Sequence, residues 1–222
     1  MPTQSFNQIP YDRSLLHLER YFALLDNGRQ KYTGAKFDVI GHPEATPDCV
    51  TAADLLAVSM LSVNVPAYAS IGILGDLGDQ IEELLRMIPA SSRIEELKPA
   101  DLDSVFGPSA PATKLWNLLR QKEDSWGVGP TTASKIMARK RPNLIPIYDS
   151  VIADLVGMPN SAEQWMLWFA AFHGENGKSF TQKLRNIRKA SGQEHLSLLR
   201  VLDIVLWMEG QDRKRAKGSL TS

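Results

Sequence analysis

Asp149 and the run Gly127-Val-Gly-Pro-Thr-Thr-Ala-Ser-Lys135 are the residues of this chain whose types and spacing suit chemistry. Two glycines beside the start of a helix let the main chain approach a ligand closely, and the helix N-terminus behind them carries partial positive charge. Such a turn can offer backbone N–H groups to a phosphate. Asp149 follows 22 residues after Gly127, just beyond Leu144-Ile-Pro-Ile-Tyr148. A fixed carboxylate there could stabilise positive charge developing on a sugar, or orient a water that attacks it. Asp149 also precedes Ser-Val-Ile-Ala, where aspartate is a very good N-cap. Both roles remain open at this stage, and they are compatible.

Helices must hold these groups. Thr113 to Gln121 reads as the helix before the turn and Thr131 to Arg141 as the one after it. On the second, Ala133, Ile136 and Met137 make an apolar face. Lys135 and Arg139 then fall one turn apart on the opposite side, expected to be exposed and within reach of neighbouring phosphates, with Lys140 and Arg141 extending the row. Pro142 to Pro146 is an extended connector, and Asp149 to Val156 opens the next helix.

The rest of the chain reads as further helices: Tyr11–Leu25, Thr51–Ser62, Gln80–Ile88, Pro99–Val105, Ala162–Phe172, Phe180–Lys189 and Leu196–Met208. Thr51-Ala-Ala-Asp54 resembles a capping box with Asp in place of Glu. Asp26-Asn-Gly28 is a C-cap signal, and Val65-Pro66 a stop. Lys31 to Ile40, about Thr33-Gly34, is where a short β-hairpin is expected. Trp165, Trp168, Phe169 and Phe172 have the spacing of a core stripe. The expected class is therefore all-α, with a small N-terminal β-hairpin as an option. Arg213 to Ser222 is expected to be a frayed basic tail.

Formal net charge is zero and the pI is near 6.9, which argues against a protein that coats nucleic acid without specificity. The charge is unevenly placed. Arg120 to Asn143 holds six cations and two acids, and Lys178 to Lys189 five cations and no acid, whereas Leu74 to Val105 holds eight acids and three cations. The single cysteine, Cys49, excludes an intramolecular disulfide and a cysteine-ligated iron–sulfur cluster or zinc site. His17, His42, His173 and His195 are scattered, so no metal site is expected. With no leader-like start and no long apolar run, the expectation is a cytoplasmic protein without membrane contact.

Gly127-Val-Gly129 and the spacing to Asp149 resemble the helix-hairpin-helix superfamily of base-excision DNA glycosylases. The resemblance covers about Thr51 to Val156. It implies a two-lobed helical fold, with residues 1–50 as an N-terminal extension, 51–156 as the helical domain bearing the hairpin (about 113–141), 157–210 packing back on the N-terminal part, and 211–222 as the tail. It implies a monomer that binds double-stranded DNA, with Trp126, Gly127, Val128, Gly129, Thr131, Thr132, Lys135 and Arg139 at the nucleic acid and Asp149 as catalytic carboxylate. Asn64 falls where the family's early helix probes DNA; a helix C-cap is the alternative reading there. Bifunctional members carry a nucleophilic lysine where this chain has Thr131, so the resemblance implies a monofunctional hydrolase with no Schiff base. Trp126 departs from the family's usual proline, either altering the turn or leaving an indole able to stack on a sugar or base. No cofactor is implied; a monovalent cation held by hairpin carbonyls near Val128 is an option of this motif class. The whole chain is also similar to a family of uncharacterised actinobacterial proteins, which implies no activity. Two other classes stay open: a non-catalytic nucleic-acid-binding module, and a protein-interaction protein using the acidic Leu74–Val105 face.

Overall fold

The computed structural model describes residues 2–121 and 126–219. Lys122, Glu123 and Asp124 of the basic stretch, and the last three residues of the tail, lie outside the described residues. The fold is all-α. In chain order its α-helices are α1 (Pro2–Asn7), α2 (Tyr11–Phe22), α3 (Ala52–Ser59), α4 (Ala67–Leu74), α5 (Gly78–Arg86) and α6 (Leu102–Phe106). They continue with α7 (Pro111–Arg120), α8 (Pro130–Lys140), α9 (Ser150–Val156), α10 (Gln164–His173), α11 (Gly177–Ala190) and α12 (Leu198–Gly218). None of the described helices is long and apolar enough to cross a membrane.

The chain divides into two compact units, residues 1–32 with 148–222, and residues 33–147. This corrects the sequence-based boundaries: residues 33–50 belong to the second unit, and the return to the first falls at Tyr148 instead of after Val156.

In the first unit α12 is central. Leu198 to Leu202, Ile204 to Leu206 and Met208 to Gly210 are buried, with α2, α9 and α11 packed against the helix. Ser197 starts it by accepting the Arg200 amide at 3.0 Å. Gly210 lets α9 come close, since a Cβ there would stand 2.6 Å from Val151 Cγ1. Phe180 joins Phe6 and Phe172 edge to face, at centroid distances of 5.3 and 5.2 Å. Trp165, Trp168, Phe169 and Phe172 are all buried, as their spacing suggests. The basic tail is helical through Gly218, where fraying was expected; Arg213 Nε binds Glu209 one turn back at 2.9 Å and Lys214 reaches Asp154 at 3.1 Å.

The second unit is built around α8, which has α3 and α7 against it, while α5 and α6 pack on α7. The capping box opening α3 is complete: Asp54 N donates to Thr51 Oγ1 at 3.3 Å and Thr51 N to Asp54 Oδ2 at 2.8 Å. α3 ends at Ser59, short of the expected Ser62 and well before Pro66, so Pro66 is not its stop; Pro66 instead starts α4, a helix the periodicity does not reveal.

The β-hairpin expected over Lys31–Ile40 is not formed. Thr33–Lys36 is a 3₁₀ turn, and no strand exists among the described residues. An isolated antiparallel bridge, Leu24 with Gln30, lies earlier, closed by Leu25 N to Arg29 O at 2.8 Å and Lys31 N to Ala23 O at 2.9 Å. Asn27-Gly28 is its tip, with Gly28 at φ +76°, and not the cap of α2, which ends at an extended Ala23. Asn-Gly serves either structure; here the chain reverses as a hairpin does.

Candidate nucleic-acid interface

The hairpin has the expected helix–turn–helix order. α7 ends at Gln121 in a left-handed conformation, φ +36°, and α8 begins at Pro130. Gly127 is exposed with φ +86°, a region glycine enters without strain, and a Cβ there would meet Pro66 Cγ at 2.8 Å. Val128 is buried and anchors the turn. Gly129 is extended and caps α8 with no side chain, and Pro130 takes the first helical position, where a missing N–H costs nothing. The amides of Thr131 and Thr132 therefore head the helix without intrahelical acceptors. Gly129 and Thr131 are half-exposed, whereas Thr132 is buried. Around a prospective Cβ of Gly129 the space is open. At the tip of the turn, Gly127 and Gly129 thus offer main chain with no side chain over it.

Trp126 is a packing residue and not a free stacking platform. Its indole donates to Leu119 O at 2.9 Å, and its ring lies over Gly72 of α4, 2.5 Å from where a Cβ would sit.

The basic face is a larger correction. Lys135 and Arg139, expected on the solvent side, are 2% and 3% exposed, and Lys140 and Arg141 only 4% and 1%. Every residue of α8 from Thr132 onward is buried. Lys135 Nζ donates to Leu61 O at 2.9 Å, beyond the end of α3. Arg139 Nε donates to Asp54 Oδ1 at 3.0 Å, and its two terminal nitrogens donate to Phe37 O and Ile40 O. Lys140 Nζ reaches Asp54 Oδ2 at 2.8 Å. The Arg141 guanidinium binds Asp48 at 2.5 Å and Pro47 O at 2.7 Å, and also donates to Leu85 O, Ile88 O and Lys140 O. These cations tie loop and helix-end carbonyls to the end of α8, where the negative pole of the helix favours them. Burial by itself would raise the Asp54 carboxyl. The hydrogen bonds from Lys140, the Thr51 amide and Arg139, with their charge, hold it below the usual carboxylate range.

Asp149 stands at the head of α9 with its side chain half-buried, and Oδ1 accepts from Val151 N at 2.9 Å. The N-cap role is thus real. Asp149 belongs to the first unit and the hairpin to the second. Asn64 is exposed in the loop between α3 and α4; it is not the C-cap of α3, a place taken by Met60.

One polar cluster of the first unit escaped the sequence reading. His17 is fully buried on α2, with Nε2 3.0 Å from Glu209 Oε2 on α12. Arg13 Nε reaches the same oxygen at 2.6 Å, and Arg20 holds Asp212 at 2.8 Å. Burial pulls the His17 imidazole down, against Glu209. Burial also opposes ionisation of Glu209, but hydrogen bonds from His17, Arg13 and Arg213 prevail and lower it to about 2. His17 sits among apolar residues of α2, and the helical distance to Glu209 leaves no signal in the sequence.

By its fold the chain is an all-helical protein with a glycine turn leading into a buried cationic helix. It belongs to the family of unknown function DUF6308, whose profile matches residues 14–210. Comparison with curated proteins and with solved structures gave no match.

Proposed function

We propose that this protein docks on double-stranded DNA through the Gly127–Thr132 turn, using main-chain amides and not cationic side chains. The observation that carries the reading is the turn itself: an exposed left-handed Gly127, then a helix that opens at Gly129 with no side chain over its first amides. A phosphate oxygen accepts from such amides and is favoured by the helix dipole. Because Lys135, Arg139, Lys140 and Arg141 are committed inside the unit, few condensed counterions are released on binding. Affinity then falls only weakly with salt, with a slope on the order of 1–2 in log–log form.

Gly129 provides the test. Gly129→Asp adds an N-cap into open space and places a carboxylate where the phosphate would lie. Thermal stability should hold or rise by up to about 1 kcal/mol, while duplex affinity measured by fluorescence anisotropy should fall about tenfold or more. Gly129→Asn adds the cap without the charge and should bind within about threefold of the parent. Equal affinity of the Asp and Asn variants would remove the turn from the docking surface.

A second reading, base excision, is favoured by the fixed orientation of Asp149 at a helix start, with one carboxylate oxygen engaged by Val151 N. In it the carboxylate stabilises positive charge on the deoxyribose as water displaces the base. Asp149→Asn retains the cap, since asparagine caps about as well as aspartate, but loses the charge. Excision from a panel of damaged duplexes, read as abasic sites, should drop by orders of magnitude. The product should need alkali for strand cleavage, because Thr131 supplies no amine. Parental excision by Asp149→Asn sinks this reading and leaves docking untouched.

A further inference from the structure

Helix α4 is apolar on both sides, which its own unit does not require. Ala69, Gly72 and Ile73 are buried, and Gly72 receives the Trp126 ring. On the other side Tyr68, Ile71 and Leu74 are 81%, 68% and 42% exposed. Their spacing of three residues places them in one stripe along the helix. Together they expose on the order of 350 Å² of side chain, within the range of the largest apolar patch on a typical monomer, which is often functional. The helix is held from its buried side, so the stripe is displayed on a fixed backbone.

The stripe ends in acid. Asp76, Asp79 and Glu83 follow Leu74, all exposed and with no ion pair among the described residues. Arg86, the cation of α5, is taken up by Glu82. The carboxyl end of α4, itself a negative pole, points into the same stretch. An apolar stripe closed by unpaired negative charge repels a phosphate backbone and matches a helix with apolar and basic residues.

We propose that α4 and the start of α5 form a docking surface for an amphipathic helical segment of another protein. That segment would carry Leu or Ile at helical spacing against Tyr68, Ile71 and Leu74, and Lys or Arg against Asp76 and Asp79. This surface is independent of the hairpin reading.

The probe is a synthetic amphipathic helix with leucine at its heptad core positions and lysine beside them, compared with the same peptide bearing glutamate for lysine. Both are titrated into the full-length ¹⁵N-labelled chain. The lysine peptide should shift amides within residues 67–83 and bind at least about tenfold more tightly than the glutamate peptide. Tyr68→Ser/Ile71→Ser should weaken it about tenfold or more. Asp76→Asn/Asp79→Asn should weaken it about threefold or more and flatten its salt dependence. Both double variants should melt with the parent, as exposed positions allow. Absent or equal binding of the two peptides, or shifts elsewhere, overturns the proposal. So does a Tyr68→Ser/Ile71→Ser variant that loses duplex affinity instead, making this a nucleic-acid surface. Self-association of the parent that this variant abolishes would assign the stripe to a second copy of the chain.

Discussion

Replacing Arg139 by methionine separates a phosphate-contacting cation from a structural one. Methionine keeps most of the volume and the apolar stem while removing the charge and all donors. In the structure the guanidinium serves Asp54, Phe37 O and Ile40 O, and is 3% exposed. Its loss leaves two carbonyls without their donor, each costing about 1–3 kcal/mol when buried. Asp54 retains Lys140 and the Thr51 amide, so the lost ion pair costs less than for an isolated carboxylate. The net expectation is about 3–5 kcal/mol, a melting temperature lowered by roughly 6–20 °C for a chain of this size. Urea and thermal denaturation followed by far-UV circular dichroism give both numbers. Lys114→Ala, which removes an exposed cation of α7, is the control and should stay within about 0.5 kcal/mol. Duplex affinity of the folded Arg139→Met protein, measured well below its transition, should remain within about twofold of the parent. A variant that melts with the parent but loses DNA affinity and salt dependence would refute the buried-cation argument.

Gly72→Ala should destabilise the second unit by about 1–3 kcal/mol, because the new Cβ would sit 2.5 Å from Trp126 Cζ3. Indole emission should shift as the ring moves; unchanged emission and stability would show that the ring is not packed there. Glu209 should make the first unit acid-labile: its pKa lies at about 2 against an ordinary 4.5, so its stabilisation is full above 4.5 and is lost as pH falls toward 2. The loss is about 3 kcal/mol. His17, whose pKa is also lowered, acts in the same direction from 6.5 downward. Melting temperatures measured across this range should fall less steeply for Glu209→Gln, and a slope equal to the parent's would refute the assignment.

Helix starts were the most legible part of the chain, because they rest on local chemistry. Thr51 with Asp54, and Asp149 with Val151, act within four residues of themselves. Asn27-Gly28 was misread as a C-cap for the opposite reason: a C-cap and a hairpin tip demand the same residues, and only the rest of the fold decides between them. α4 gave no periodic signal, since its exposed side is as apolar as its buried one. The basic face of α8 was misread because periodicity identifies an apolar side but not what covers the other. Asp54, which Arg139 binds, lies 85 residues away. Asp48, which Arg141 binds, is 93 residues away, and most of the other acceptors are backbone carbonyls, such as those of Phe37, Ile40, Leu61, Leu85 and Ile88, which every residue type carries alike. At the candidate site the glycine turn and the cap at Asp149 were readable, while the burial of the α8 cations behind the turn was not.

Arg139-Lys140-Arg141 would be, in an unfolded chain, an inviting target for trypsin. Here all three side chains are closed inside the unit, their head groups held by carbonyls of Phe37, Ile40, Pro47, Leu85 and Ile88 and by the carboxylates of Asp48 and Asp54. A protease needs an extended stretch of chain in its cleft, so a cut at this triplet requires the second unit to open as a whole. Arg213, Lys214, Arg215 and Lys217, on the exposed end of α12, ask only for a local loosening of the last turns. The two clusters therefore make the chain its own reporter, one cleavage site timing the breathing of a helix end and the other the opening of an entire unit.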